Sequence, residues 1–413
     1  MSTTIAVMNK LAVALASDSA HTFVVVDRRE WEEIHKTFNT GNRLFRLSDA
    51  TPVGIMQYGR AQLLGVPLET IFSMYKDHLG GTRFSRLEDY KTDFVRFLEE
   101  NPPLFPSDVQ ESFMREKITE HFEEIREENV AKDSVRSDDE PDDHPLYEDI
   151  KSKIEERVKD LSKLEPLGCF SEPFVSNLLK KKQQLFDEVA KSVFENDQLS
   201  GSMLSSLQEI GGLVTKRFLD PYTVCRIVFA GYGDKDIFPH LIALEVDGVI
   251  DGHLRYRETV NERVNTDAPA HVISFGEDEM IRTFLDGVNP DHLHSLIEVR
   301  DSVKFFGVPV RGGTLMTSLP KVEEKLEALI NKSSSHRGSI IFNVVSSLPQ
   351  ADLAKVAEEL IKLECLSQRL SEEHEFTGEP VDVALITKSG FTWVKNKNGA
   401  ESGSNRAGAL EAM

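Results

Sequence analysis

The chain begins Met1-Ser2-Thr3-Thr4-Ile5-Ala6-Val7, turns at Asn9-Lys10 and continues Leu11-Ala12-Val13-Ala14-Leu15-Ala16-Ser17-Asp18-Ser19. Two short apolar runs around a polar dipeptide read as the strands of a hairpin. Such a hairpin carries Asp18 back beside the start of the chain. Loss of Met1, which the small Ser2 permits, would leave a hydroxyl and a free α-amine on one residue. An α-amine titrates at roughly pH 7.7–8.0, so it can act as the base for its own hydroxyl. An acid at Asp18 is then placed to orient and polarise a terminal nucleophile.

Outward from the hairpin, β-branched runs bounded by turns predict strands over 23–26, 43–47 and 53–58, and a helix over 67–79. From 87 to 218 the texture is charged and helical. Apolar residues recur there at three- and four-residue spacing over 108–129, 147–164, 173–196 and 204–218. The acidic, Pro-containing break at 137–144 reads as a mobile loop, and no ligand-spacing motif around its carboxylates points to a metal. Strand texture returns at 223–231, 241–247 and 249–257. Gly231-Tyr232-Gly233-Asp234 lacks the helix-opening Lys-Ser/Thr of a phosphate loop and reads as a tight turn. Residues 271–276 lead into a helix from Glu277, further helices are expected over 290–305 and 350–369, and 379–386 with 391–394 read as a closing hairpin. The tail from about Lys395 is polar and small and is expected to be disordered.

Three segments in order carry a family resemblance. Ser2-Thr3-Thr4-Ile5 through Asp18-Ser19-Ala20 resembles the opening of proteasome β-type subunits and their bacterial heat-shock relatives. Counting from Ser2, Asp18 is the seventeenth residue, the spacing that family uses. Asn42-Arg43-Leu44-Phe45-Arg46-Leu47 and Pro52-Val53-Gly54-Ile55-Met56-Gln57-Tyr58-Gly59 resemble the strand bearing the family's basic catalytic residue and the next strand, whose end supplies an oxyanion amide. Gly65-Val66-Pro67-Leu68-Glu69-Thr70-Ile71 looks like the start of the first core helix. The chain also resembles a group of bacterial proteasome-like proteins, except in its middle and its tail.

The resemblance implies Ser2 as nucleophile, with Thr3 as fallback, Asp18 and Arg43 as the charged partners, and the Tyr58 or Gly59 amide as oxyanion donor. Ser274, Gly276 and Thr377 are further positions carried over from the family's turn near the nucleophile and its Tyr-Ser-Gly. Two positions depart from the pattern. Arg43 stands where the family has lysine, and arginine stays protonated and cannot relay a proton. Lys36, seven residues earlier, reads as a surface residue. His374, between Glu373 and Glu375, stands where the family has aspartate.

Strands at both ends of the chain with helices between them suit two packed antiparallel sheets flanked by helices. The expected class is therefore α+β, and the resemblance implies a four-layer αββα N-terminal-nucleophile-hydrolase sandwich. Its core would be split over 1–86 and 219–397, with a helical insertion over 87–218 and a disordered tail over 398–413. The resemblance implies a hydrolase of peptide or amide bonds, acting on a peptide or protein substrate and assembling as a homo-oligomer. The alternative is an inactive scaffold whose insertion binds a protein partner. No cofactor or metal is expected.

Composition limits the other classes. The 413 residues hold 48 basic and 69 acidic side chains, net −21, which disfavours phosphate-mediated nucleic-acid binding and attachment to an anionic membrane. No stretch approaches the roughly 18–20 apolar residues of a membrane span, and no basic-then-apolar signal opens the chain. Cys169, Cys225 and Cys365 are odd in number and widely spaced, so a reducing, cytoplasmic setting is expected.

Overall fold

The opening hairpin forms as expected, with β1 at Thr3–Asn9 and β2 at Val13–Ser17. Asn9 closes the turn by accepting the Leu11 amide at 2.9 Å, and its side-chain amide donates to the Val345 and Leu348 carbonyls at 3.0 and 2.9 Å. Both strands are buried along their whole length, which explains why their sequence is a continuous apolar run rather than an alternating one. The computed structural model describes residues 2–27, 32–38, 41–133, 146–194, 199–217, 223–287, 289, 295, 338, 340–371 and 377–397, with backbone alone for 21–27, 32–38, 128–133 and 146–149.

The remaining elements follow in order. The strands of the first half are β3 (His21–Asp27), β4 (Glu32–Phe38), β5 (Leu44–Arg46), β6 (Val53–Gly59), β7 (Gln62–Leu63) and β8 (Val66–Pro67). Seven helices come next: α1 (Leu68–Leu79), α2 (Leu87–Glu99), α3 (Ser107–Asp133), α4 (Leu146–Lys163), α5 (Glu172–Lys181), α6 (Gln183–Val193) and α7 (Gly201–Arg217). The second half holds β9 (Cys225–Gly231), β10 (His240–Ile250), β11 (His253–Arg263), β12 (Ala270–Gly276), α8 (Glu279–Asp286), a helix we number α9 (Gln350–Leu370), β13 (Asp382–Thr387) and β14 (Gly390–Lys395).

Ten strands form two five-stranded sheets, ordered β12-β1-β2-β13-β14 and β11-β10-β9-β6-β5, and every neighbouring pair is antiparallel. The fold is thus α+β. Alternation decides what lies on each face. Ala6, Met8 and Leu15 of the first sheet meet Met56, Val228 and Ala243 of the second in one buried cluster between the sheets. Ile5, Val7 and Ala14 point the other way, onto Leu353, Ala357 and Ile361 of α9. Val53, Ile55, Ile227 and Phe229 likewise point away from the interface, onto Tyr75 of α1 and Tyr90 and Phe94 of α2. The order through the body is helices, sheet, sheet, helices.

Four expectations are corrected here. Helix α2 belongs to the layer over the second sheet, because Leu87, Tyr90, Phe94 and Leu98 are buried in that cluster. Asp236 on the Gly233 turn also accepts the Leu87 amide at 3.0 Å. The separate helical unit therefore starts at α3, and α3, α4, α6 and α7 share a cluster of their own around Phe122, Phe186 and Ile210. The helix expected over 173–196 breaks at Lys182, which ends α5 and begins α6. The strands expected at 241–247 and 249–257 are not separated at Gly248, because Asp247-Gly248 is a bulge inside β10. The chain reverses at Asp251 and Gly252, both in the left-handed region. The last segment is ordered through Lys397, whose amide donates to Asp382 Oδ1 at 2.8 Å.

The helix expected over 290–305, the acidic run 137–144, residues 373–376 and the tail 398–413 lie outside the described residues. Among the described residues no helix is long and apolar enough to cross a membrane.

Candidate functional site

Register alone brings Asp18 to the chain start. Thr4 lies opposite Ser17, so the next residue on each strand pairs: the Asp18 amide donates to the Thr3 carbonyl at 3.1 Å. The Asp18 side chain returns the contact, Oδ1 accepting the Thr3 amide at 3.0 Å. Its second oxygen accepts the Ala20 amide at 3.1 Å and the Gly378 amide at 3.2 Å. One fully buried carboxylate thus ties together β1, the end of β2 and the approach to β13.

Ser2 continues the line of β1. Its carbonyl accepts the Glu277 amide at 3.1 Å, extending the pairing in which Thr3 opposes Gly276. Alternation turns its side chain to the side of Thr4, Ala6 and Met8, facing the second sheet. The hydroxyls of Ser2 and Thr4 are buried and have no hydrogen-bond partner among the described residues. Thr3, the fallback nucleophile, faces the opposite way, and its hydroxyl is engaged by the Glu277 carbonyl. Gly276 has φ +85°, and a Cβ there would stand 1.8 Å from the Ser2 carbonyl oxygen. Only glycine lets β12 end this close to Ser2.

Arg43 reaches the same place from the start of β5. Its Nη2 donates to the Ala20 carbonyl at 2.7 Å, and its Nε lies 4.0 Å from Asp18 Oδ1, with no hydrogen bond of its own. Both side chains are almost wholly buried. Burial raises the Asp18 carboxyl to about 6, although Arg43 and the three backbone amides pull it down. Burial lowers Arg43, opposed by Asp18.

That shift has a stability consequence. In the fold Asp18 ionises near pH 6, against about 3.9 for a free aspartate, so the native state holds this proton more tightly than the unfolded chain. Its contribution is therefore most favourable below about pH 4 and declines as the pH rises to about 6, by about 3 kcal/mol. Urea midpoints measured from pH 4 to 7 should fall with that slope. In Asp18→Asn the decline should be shallower by that amount, since burial also raises Asp278 and Glu364, and an equal slope in the variant would refute the assignment.

The oxyanion candidates sit at the end of β6. Gln57 donates its amide to the Arg43 carbonyl at 2.9 Å, which brings Tyr58 and Gly59 to the Arg43 end of the second sheet. The Tyr58 ring packs tilted against Phe275, with centroids 5.1 Å apart, next to Gly276. Burial raises the Tyr58 phenol well above its usual range, so it stays protonated. Ser274 lies on the face of β12 turned toward α8, and its hydroxyl donates to Asp278 at 2.6 Å rather than approaching Ser2. Thr377 donates to Gln368 at 3.1 Å, and its neighbour Gly378 supplies an amide to Asp18. Lys36 lies on β4, paired with Phe23, in a hairpin outside both large sheets.

Sequence reasoning missed Lys397. Its buried ammonium lies 3.2 Å from Asp382 and 3.4 Å from the Ser19 hydroxyl and also binds the Gly41 carbonyl. It thereby clamps the segments that deliver Asp18 and Arg43. Nothing in the local sequence separates it from Lys395, two residues earlier and half exposed. No protein-family model matches the chain, and no curated protein matches it.

Proposed function

We propose that the protein is a proteasome-like N-terminal-serine hydrolase of peptide or other amide bonds. The observation that carries this reading is the buried Ser2 hydroxyl. It has no partner among the described residues, and it stands at the end of β1 beside an acid held by three backbone amides. The four-layer order with two antiparallel sheets is the arrangement expected of N-terminal-nucleophile hydrolases.

Once Met1 is removed, the Ser2 α-amine takes the hydroxyl proton as Oγ attacks the substrate carbonyl. The amide at Tyr58 or Gly59 stabilises the oxyanion. Collapse breaks the C–N bond, the amine's proton goes to the leaving nitrogen, and the acyl group stays on Oγ as an ester. Water then attacks the ester, the same amine takes its proton, and the proton returns to Oγ as the acid is released. Asp18 and Arg43 set the field around the amine and exchange no proton. A homo-oligomer in the cytoplasm belongs to the same reading.

A second reading is favoured by one residue. Arg43 is a permanent cation where the family has lysine, which suits a non-catalytic scaffold whose α3–α7 unit binds a protein partner.

The mature terminus tests the hydrolase directly. Intact-mass measurement of the purified protein should show Met1 absent and Ser2 first. A chain that retains Met1, or starts beyond Ser2, has no such nucleophile.

A further inference from the structure

The buried stripe of α9 changes character along its length. Leu353, Ala357, Leu360 and Ile361 share a cluster with Ile5, Val7 and Ala14 of the first sheet. One turn further, the same stripe carries Glu364 and then Gln368. Glu364 is only 3% exposed. Burial raises its carboxyl above the usual range and Asp278 adds to this, while two backbone amides and Gln368 pull it down. A buried carboxylate is costly, so something other than packing keeps it at this position.

The two amides lie at the start of α8. Asp278 stands at the N-cap of that helix, but its carboxylate accepts the Ser274 hydroxyl and makes no cap bond. Glu364 supplies the missing acceptor from another helix. Its Oε2 accepts the Met280 and Ile281 amides at 2.9 and 3.1 Å. The chain just before this turn is Gly276-Glu277, where the Glu277 amide holds the Ser2 carbonyl and the Glu277 carbonyl takes the Thr3 hydroxyl. One turn along α9, Gln368 Oε1 accepts the Thr377 hydroxyl at 3.1 Å, and its side-chain nitrogen lies 3.4 Å from Glu364 Oε1. The next residue, Gly378, donates its amide to Asp18 and accepts the Ser19 amide at 3.0 Å. A single helix thus grips the segment that fixes Ser2 and the segment that fixes Asp18.

We propose that Glu364 and Gln368 are positioning residues of the hydrolase, holding Ser2 and Asp18 in one fixed arrangement through the 277–281 turn and the 377–378 segment. The inference rests on the hydrolase reading for its purpose, and on the hydrogen bonds of α9 for its geometry. Neither side chain meets the substrate. Both act on the position from which Ser2 Oγ attacks, where a displacement of about 1 Å can cost about a hundredfold in rate. A turn and a chain segment are poor mounts by themselves. Tied to a long helix packed along the sheet, they become precise ones.

The test joins labelling kinetics to amide exchange, both on the full-length chain. With an electrophile selective for N-terminal nucleophiles, Glu364→Ala should lower the maximal labelling rate at Ser2 by about tenfold or more. Its reversible affinity for the reagent should not change, because the reagent still binds but meets a displaced oxygen. Glu364→Gln keeps an oxygen for the Met280 and Ile281 amides and should recover most of the rate. Gln368→Ala should slow labelling as Glu364→Ala does, and it carries the test if Glu364→Ala does not fold. Glu358→Gln removes another buried acid of α9, one that pairs with Lys362 and Lys395, and should label as the parent does. In hydrogen-exchange mass spectrometry, the peptide containing Glu277 should exchange faster in Glu364→Ala, and the peptide containing Gly378 faster in Gln368→Ala. Folded variants that label at the parental maximal rate overturn the assignment, as does a Glu364→Gln protein no faster than Glu364→Ala. Unchanged exchange at both peptides overturns it too. A parent that does not label at Ser2 sinks the hydrolase instead, and exchange still decides whether α9 holds the two segments.

Discussion

Ser2→Ala should abolish covalent labelling by an electrophile selective for N-terminal nucleophiles, read as the loss of the adduct mass on the first peptide. The attacking oxygen is gone, and the neighbouring hydroxyl cannot replace it. Thr3 faces the opposite side of the strand, with its hydroxyl bound to the Glu277 carbonyl. Residual labelling should therefore be at background, a loss of at least about a thousandfold relative to the parent. Arg43→Lys sharpens the experiment, because it restores a cation that can lose its proton when buried. Labelling preserved or raised in Arg43→Lys fits the hydrolase. If the parent and Arg43→Lys both begin at Ser2 and neither labels, the hydrolase reading fails and the scaffold reading stands.

Gly276→Val should unfold the Ser2 end of the molecule. The residue has φ +85°, a region that β-branched side chains scarcely enter, and its Cβ would stand 1.8 Å from a backbone oxygen that cannot swing aside. Relief requires β12 to move away from β1, which breaks the Glu277 contact to the Ser2 carbonyl. We expect a loss on the order of 4 kcal/mol, a large fraction of the stability of an ordinary domain, measured as the shift in urea midpoint. Gly65→Ala is the control. Gly65 also has positive φ, at +83°, but no atom lies within 4 Å of the point a Cβ would occupy there, so only the backbone term of about 1 kcal/mol applies. Equal losses at the two sites would show that the close approach at Ser2 contributes nothing.

Much of the framework is legible because it is written in local pattern. The Asn9-Lys10 hairpin and the strands at 53–58 and 223–231 follow from apolar runs between turns, and each is present within two residues. The contact between Asp18 and Thr3 follows from the hairpin's register. Helix α2 escapes such a reading for a physical reason. Periodicity shows that Leu87, Tyr90, Phe94 and Leu98 share a face, but it carries no information about what that face will meet. The break between the strands expected at 241–247 and 249–257 falls at Gly248, a residue that favours turns, and the same freedom serves a bulge equally well. Only half of the hairpin β3–β4 is legible, since its second strand lacks a β-branched run.

By itself, then, the sequence determined the α+β class, the opening hairpin and the position of Asp18 opposite the chain start, all of which depend on neighbours close along the chain. Only the tertiary structure decided that Lys397 clamps Ser19 and Gly41, and that Gly378 completes the Asp18 cage. Those groups come from distant parts of the chain. Their meeting is set by which strands pair and in what register, and burial between packed layers, not local preference, selects that register.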